Sequence, residues 1–332
     1  MSYMWFYGRH MTTSTTATLR TRSSAPLARI GLVKRPSEPP PAAGASAPRL
    51  VEEARVATPF LKWVGGKGKL LTQLLPLLPS GVERMRHVEP FSGGAAMFFA
   101  RSPERAVLCD FNRSLVDTYL AVRDEVDSVI AELETLQMSH AAGSYYGVRD
   151  RYNSAVSGGA KRQPRSERAA MFIYLNKTCF NGLHRVNRRG EFNVPEGRYK
   201  NPRILDESTL RAASRVLQRA EIKQAGFEEM LDYVRPGDFV YLDPPYEPVS
   251  ETASFTAYAA GDGFSRADQT RLRDVVVELD RRGAKVMLSN SDVPFIRELY
   301  AQFRIDLVAA PRAINCDARG RGLVSEVVVR NY

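Results

Sequence analysis

Phe239-Val-Tyr-Leu-Asp-Pro-Pro-Tyr246 is an apolar run that ends in a carboxylate, two prolines and an aromatic ring. Such a run predicts a buried strand, and Pro244 and Pro245 cannot continue its hydrogen-bond ladder, so the chain leaves the sheet at Asp243. The carboxylate then stands at the strand's C-terminal tip, the edge of open α/β sheets where ligands bind. A Pro-Pro turn is rigid. It holds the Asp243 side chain, the Pro244 carbonyl and the Tyr246 ring around one point, and two acceptors beside a flat ring suit a planar group bearing an NH2. A strand-ending turn whose Asp caps a helix accounts for the same letters, so the rest of the chain has to discriminate.

Upstream, order is expected to begin at Pro59. In the stretch 59–71 the Gly65-Gly66 pair lets the backbone approach a ligand, and Leu70, Leu71, Leu74 and Leu75 predict a helix that ends at Pro76. Lys67 at its start opposes the helix dipole. A bound carboxylate would explain it, with Trp63 as a cover; a solvated Lys and a packed Trp are the alternative. His87–Phe91 predicts a first strand, followed by the small-residue turn Ser92-Gly93-Gly94-Ala95-Ala96 and an apolar helix from Met97, the usual nucleotide cradle. The turn is not G-x-G-x-x-G, which disfavours a dinucleotide. A second strand, Ala106–Cys109, leads to Asp110, which either accepts from ribose hydroxyls or caps the helix starting near Arg113.

Apolar positions at helical spacing, including Val122, Val126, Ile130 and Leu133, predict two core-packed helices over Ser114–Asn153. A helix from about Arg168 follows the loop Ser157–Pro164 and runs into the stretch 174–199. Beyond Pro202 the α/β pattern returns: a helix over Ser208–Leu217, a strand near Ile222, and a helix over Arg266–Arg282 stopped at Gly283. Ala284–Leu288 predicts a strand, Ser289–Asp292 a turn, and Phe303–Val308 and Ser325–Val329 two last strands. The long polar loop Glu247–Gly263, with Phe255 and Tyr258, is expected to act as a lid or binding loop. Arg319, Gly320 and Arg321 fall in the loop between the last two strands.

Charge is unevenly spread. Lys161–Arg203 carries eleven Lys or Arg against three acids, and residues 1–56 contribute about +5 of the formal +10, which leaves the remainder slightly acidic. The first 56 residues are rich in Ser, Thr, Ala, Pro and Arg and are expected to be a disordered basic leader. The ordered basic stretch interleaves its cations with Phe180, Asn181, His184, Asn187, Phe192, Asn193 and Tyr199. Cations suit phosphates, Asn and Arg can grip base edges, and rings can wedge or stack, so this is the expected nucleic-acid surface. Three well-separated cysteines, Cys109, Cys179 and Cys316, argue against a zinc site or a disulfide framework. No apolar run has the length of a membrane span.

Together these pieces resemble the Dam family (D12 class) of S-adenosylmethionine-dependent DNA adenine-N6 methyltransferases, over about Pro59 to Tyr332. The family's K-W-x-G-G-K stands here as Lys62–Lys67, its E-P-F-x-G as Glu89–Gly93, its D-x-N as Asp110–Asn112 and its D-P-P-Y as Asp243–Tyr246. The recognition segment keeps Y-L-N, N-G-L, R-G-E-F-N-V-P and G-R-Y between residues 174 and 199. The resemblance implies a Rossmann-like α/β catalytic domain (57–113 and 206–332) with helices on both faces and an inserted, mainly helical target-recognition domain (114–205). It implies Asp243, Pro244, Pro245 and Tyr246 as catalytic residues, and Trp63, Lys67, Glu89, Phe91, Gly93, Asp110 and Asp243 as contacts to S-adenosylmethionine. Lys62, Asn181, Leu183, Arg185 and Pro195 would contact double-stranded DNA, with Phe180 and Tyr199 as intercalating or stacking rings. It further implies a GATC target, no metal, a monomer, and a cytoplasmic, DNA-associated setting in a bacterium or phage. Ala95 replaces the second glycine of F-x-G-x-G, and Lys177, Thr178, His184 and Glu196 also depart from the pattern. Asp before the prolines favours adenine over the N4 of cytosine. An RNA substrate and a non-catalytic DNA binder remain as alternatives.

Overall fold

Short apolar runs alternating with helical periods build one sheet from β1 (His87–Glu89), β2 (Ala106–Asp110), β3 (Ala220–Gln224), β4 (Phe239–Leu242), β5 (Lys285–Ser291), β6 (Arg304–Pro311) and β7 (Leu323–Arg330). The computed structural model describes residues 56–140, 143–157, 163–249, 264–311 and 323–332. The strand order is β3-β2-β1-β4-β5-β7-β6, with the first five strands parallel and β7 antiparallel to both of its neighbours. The order reverses at β1, which lies between β2 and β4, so a crevice opens beyond the carboxyl ends of β1 and β4.

The described helices are α1 (Leu71–Leu74), α2 (Ala96–Arg101), α3 (Arg113–Asp124), α4 (Val126–Met138), α5 (Ser144–Val156), α6 (Arg165–Thr178), α7 (Glu207–Leu217), α8 (Arg266–Arg281) and α9 (Pro294–Leu299). Side chains alternate between the two faces of the sheet, and the core divides accordingly. Val88, Val107, Val240, Leu242, Val286, Leu288, Val327 and Val329 pack with Leu272, Val275, Val276 and Leu279 of α8 and Ile296 of α9. Phe239, Tyr241, Met287 and Val328 face the other way, against Leu74 and Met97. Each such buried side chain contributes about 1.5–3 kcal/mol, so a strand buried on both faces is strongly held. Helices therefore cover both faces, as expected. A further apolar core runs without interruption from Phe98 of α2 through Leu115 and Tyr119 of α3 to Phe172 of α6 and Leu217 of α7.

Three local expectations are corrected. Ser114–Asn153 holds parts of three helices, because the chain breaks at Glu125 (φ −136°, ψ 34°), where no Gly or Pro marks it. Arg165 of α6 holds that break by donating to Glu125 Oε1 at 2.9 and 2.7 Å. The helix expected over Leu70–Leu75 is one α-helical turn flanked by 3₁₀ turns at Lys67–Lys69 and Leu75–Leu77. Ser289-Asn290-Ser291 is strand, not turn: small polar residues normally leave a sheet, but here each has a buried partner, Tyr241 for Ser289, Gln269 for Asn290 and the Glu247 carbonyl for Ser291. Helix α9 was not anticipated. The leader, nearly all of the expected lid loop with Phe255 and Tyr258, and Arg319–Arg321 lie outside the described residues.

Candidate active site

Asp243 stands just past β4 at the sheet's reversal point. The Lys67 ammonium, only 6% exposed, lies 2.7 Å from Asp243 Oδ1 and 2.9 Å from Oδ2, and donates to the Gly65 carbonyl at 2.7 Å. The anion that explains this lysine's place is thus supplied by the chain itself, from 176 residues away. Burial raises the Asp243 pKa while Lys67 opposes the rise and Glu89 adds to it. The same ammonium lies 4.7 Å from the centroid of the Tyr246 ring.

The turn that carries Asp243 is fixed from three elements. Gln269 of α8 donates to the Pro245 carbonyl at 2.9 Å and accepts from Asn290 of β5 at 3.1 Å. Asn290 Oδ1 in turn accepts the Glu247 N–H at 3.1 Å, and the Ser291 hydroxyl donates to the Glu247 carbonyl at 2.7 Å. From β7, Glu326 accepts the Tyr246 hydroxyl at 2.9 Å. Among the described residues no donor is bonded to the Pro244 carbonyl. Asp243 and Pro244 are left as acceptors on a turn that cannot drift.

Gln269, Asn290 and Glu326 were missed in the sequence. Gln269 did carry a signal, since it occupies the apolar stripe of α8 with Leu272, Val276 and Leu279, where a polar residue needs an internal partner. Glu326 carried none.

On the β1 and β2 side, Asp110 accepts the Gly93 N–H at 3.0 Å and the Asn112 N–H at 2.9 Å. Asn112, not Asp110, caps α3, by accepting from Leu115 N–H at 3.2 Å. That leaves the Asp110 carboxylate, with lone pairs to spare, at the mouth of the crevice; burial raises its pKa against those two N–H donors. Gly93 has φ +45°, and a Cβ there would lie 2.8 Å from Trp63 Cδ1, so the turn admits only hydrogen beneath the indole. Ala95 adopts φ +51° and ψ 39°, a left-handed conformation that costs a non-glycine residue about 1–2 kcal/mol. Glycine would adopt that backbone without the strain.

Phe91 stacks on Phe227 (5.7 Å, 23°) and meets Phe264 edge-on, making an aromatic wall. Glu89 is turned into the fold: its Oε1 lies 2.7 Å from His87 Nε2, and burial pushes its pKa up to about 8. Arg101 can only donate, so His87 Nδ1, 2.6 Å away, must accept and Nε2 carries the proton toward Glu89.

The residues expected to contact DNA gather on a separate surface. Lys62, Phe180, Asn181, Arg185, Pro195 and Tyr199 are exposed and Leu183 is half-buried. The Lys62 ammonium sits 4.0 Å over the Tyr199 ring. Arg185 donates to Asn193 Oδ1 at 2.8 Å and to the Asn193 carbonyl at 3.2 Å, within a hairpin whose tip runs from Asn187 to Glu191. Asn153 and Tyr145 of α5 anchor that hairpin through the Phe192 and Val194 backbone. Asn176 of α6, the Asn of the Y-L-N element and assigned no separate role from the sequence, bonds both the Lys62 N–H and carbonyl and ties them to Gly182. The two surfaces meet at Trp63, which stacks on His184 (5.7 Å, 23°) as well as covering Gly93. Burial pushes the His184 pKa down to about 4, so the ring is neutral and packs like an apolar one. Among the described residues no group of three or more His, Cys, Asp or Glu could hold a metal, and no helix is long and apolar enough to cross a membrane.

The family model "D12 class N6 adenine-specific DNA methyltransferase" matches residues 63–314. The chain is 42% identical over 277 residues to the Type II methyltransferase M1.LlaDCHI of Lactococcus lactis subsp. cremoris, covering 82% of this chain and 95% of that protein. It is 42% identical over 291 residues to the Type II methyltransferase M.MjaIII of Methanocaldococcus jannaschii, with 82% and 99% covered. It is 35% identical over 271 residues to the DNA adenine methylase of Escherichia coli K12, with 81% and 93% covered.

Proposed function

The chain belongs to the D12 class of N6 adenine-specific DNA methyltransferases, and from that premise we propose that it methylates an adenine extruded from duplex DNA, within GATC. The observation that carries this reading is the clamped turn at the tip of β4, which offers the Asp243 carboxylate and the Pro244 carbonyl beside the Tyr246 ring. An adenine inside a duplex hides its N6, so it has to leave the stack to reach such a turn. Tyr246 stacks on the extruded base. Asp243 and Pro244 then accept the two N6 hydrogens, which draws the nitrogen lone pair out of ring conjugation, and Asp243 is placed to take the proton that N6 loses.

The crevice fits S-adenosylmethionine. Trp63 over the hydrogen-only Gly93 turn, the Phe91 wall, Lys67, and the Asp110 and Asp243 carboxylates would hold it, while Glu89 acts from beneath. When bound, it supplies a methyl group already activated on a sulfonium. Holding reactants at attack distance is worth up to about 7–11 kcal/mol in well-oriented models, and this rigid turn is built for that.

Residues 114–205 serve as the target-recognition region, and their exposed cations, amides and rings grip phosphates and base edges. The GATC assignment rests on the recognition segment, which keeps its Y-L-N, N-G-L, R-G-E-F-N-V-P and G-R-Y elements. Plasmid DNA incubated with the protein and S-adenosylmethionine should resist a nuclease that is blocked by N6-methyladenine in GATC. Methyl groups recovered on cytosine, on RNA or in another sequence would overturn the assignment. Arg185→Ala should lower the preference for GATC over a site changed at one base by roughly 5- to 100-fold, the worth of one bidentate base contact. Competing kcat/KM measurements on the two duplexes test this, and unchanged discrimination would remove Arg185 from base reading.

A further inference from the structure

Tyr246 is held at both ends. Its backbone belongs to the Pro-Pro turn, and its hydroxyl donates to Glu326 Oε2 at 2.9 Å. Glu326 is paired on both sides, with Ser291 of β5 and Val308 of β6, on the one strand that runs antiparallel between them. Its carboxylate is therefore carried on a strand hydrogen-bonded from both edges. Burial raises the Glu326 pKa, the Lys67 ammonium and the Tyr246 hydroxyl oppose the rise, and Asp243 adds to it. A half-buried carboxylate costs free energy unless it has a partner, and the Tyr246 hydroxyl is that partner here. A phenylalanine ring would stack as well as a tyrosine. What the hydroxyl adds is a tether that stops the ring from swinging about its side-chain bonds.

Resting on the reading that Tyr246 stacks on the extruded adenine, we propose that Glu326 is a positioning residue for methyl transfer. It sets the plane of the Tyr246 ring, and through it the angle at which the adenine amino group meets Asp243 and Pro244. Glu326 itself touches neither base nor donor in this role.

The test is a double-mutant cycle of Glu326→Ala and Tyr246→Phe. Each single variant should lower kcat about tenfold, with KM for DNA and for S-adenosylmethionine within about twofold of native, as expected when a charge-assisted bond that orients the reactants is lost. Because both remove the same bond, the double variant should be no slower than either single one. Glu326→Gln keeps an acceptor and should recover most of the rate. A bound duplex carrying 2-aminopurine at the target position should fluoresce more brightly with Glu326→Ala, since a swinging ring quenches it less. A double variant about a hundredfold down, the sum of independent effects, would overturn the tether. So would native kcat or unchanged 2-aminopurine emission in Glu326→Ala. A native protein that methylates no DNA would sink the functional reading, whereas native turnover with an unaffected Glu326→Ala variant would sink only the tether.

Discussion

Asp243→Ala is expected to lower single-turnover methylation of plasmid DNA by about 10³-fold or more, while duplex affinity stays within about threefold of native. The carboxylate is the charged acceptor of the turn, and the Pro244 carbonyl cannot replace it because a neutral oxygen neither pulls as hard on N6–H nor takes the proton. Lys67 would also lose the partner that lies 2.7 Å away. Breaking one half of a buried pair costs about 3–5 kcal/mol, so the isosteric Asp243→Asn belongs beside it, folded and equally slow. In the proposed mechanism the reaction needs the ionised form, and burial raises the Asp243 pKa, so the native rate should fall as pH drops through that raised value. Turnover by either variant within about tenfold of native would remove Asp243 from the chemistry.

Asn176→Ala should lower the melting temperature by roughly 5–10 °C and weaken duplex binding about tenfold. Asn176 is 3% exposed; its Oδ1 accepts the Lys62 N–H at 2.8 Å, and its Nδ2 donates to the carbonyls of Lys62 at 2.6 Å and Gly182 at 3.3 Å. Alanine leaves the buried Gly182 carbonyl and the part-buried Lys62 N–H and carbonyl without this partner, at about 2–3 kcal/mol in total. It also frees Lys62 from Asn181-Gly182-Leu183, so a cation and a loop expected to meet DNA no longer move as one piece. The close fit is tight already: a Cβ on Gly182 would come 2.6 Å from Lys62 Cβ. A thermal midpoint within about 1 °C of native would contradict the clamp.

Much of the site was legible because it is local. The strand that ends at Asp243, the turn at Gly93 and the acid at Asp110 are each a run of adjacent residues whose backbone preferences speak for themselves. Lys67 was legible as an anomaly, a cation at the start of a predicted helix, but its partner was not. Asn290 misled for a physical reason. A Ser-Asn-Ser run reads as a turn, and distant partners make it tolerable inside a sheet: Tyr241 for Ser289, Gln269 of α8 for Asn290 and the Glu247 carbonyl for Ser291. The break at Glu125 was invisible because no Gly or Pro marks it, and its partner Arg165 lies 40 residues on.

The local run of residues already carried the chemistry: an acid at a strand tip locked by two prolines, a small-residue turn, and a cationic segment dense with amides and rings. Those properties follow from neighbouring residues. Long-range packing set the rest: Lys67 answers Asp243 across 176 residues, Glu326 holds Tyr246 across 80, Asn176 meets Lys62 across 114, and a Gly93 Cβ would strike Trp63. Strand order and register create such pairs, and both are set by how whole faces of the sheet bury together, which no short stretch of chain encodes.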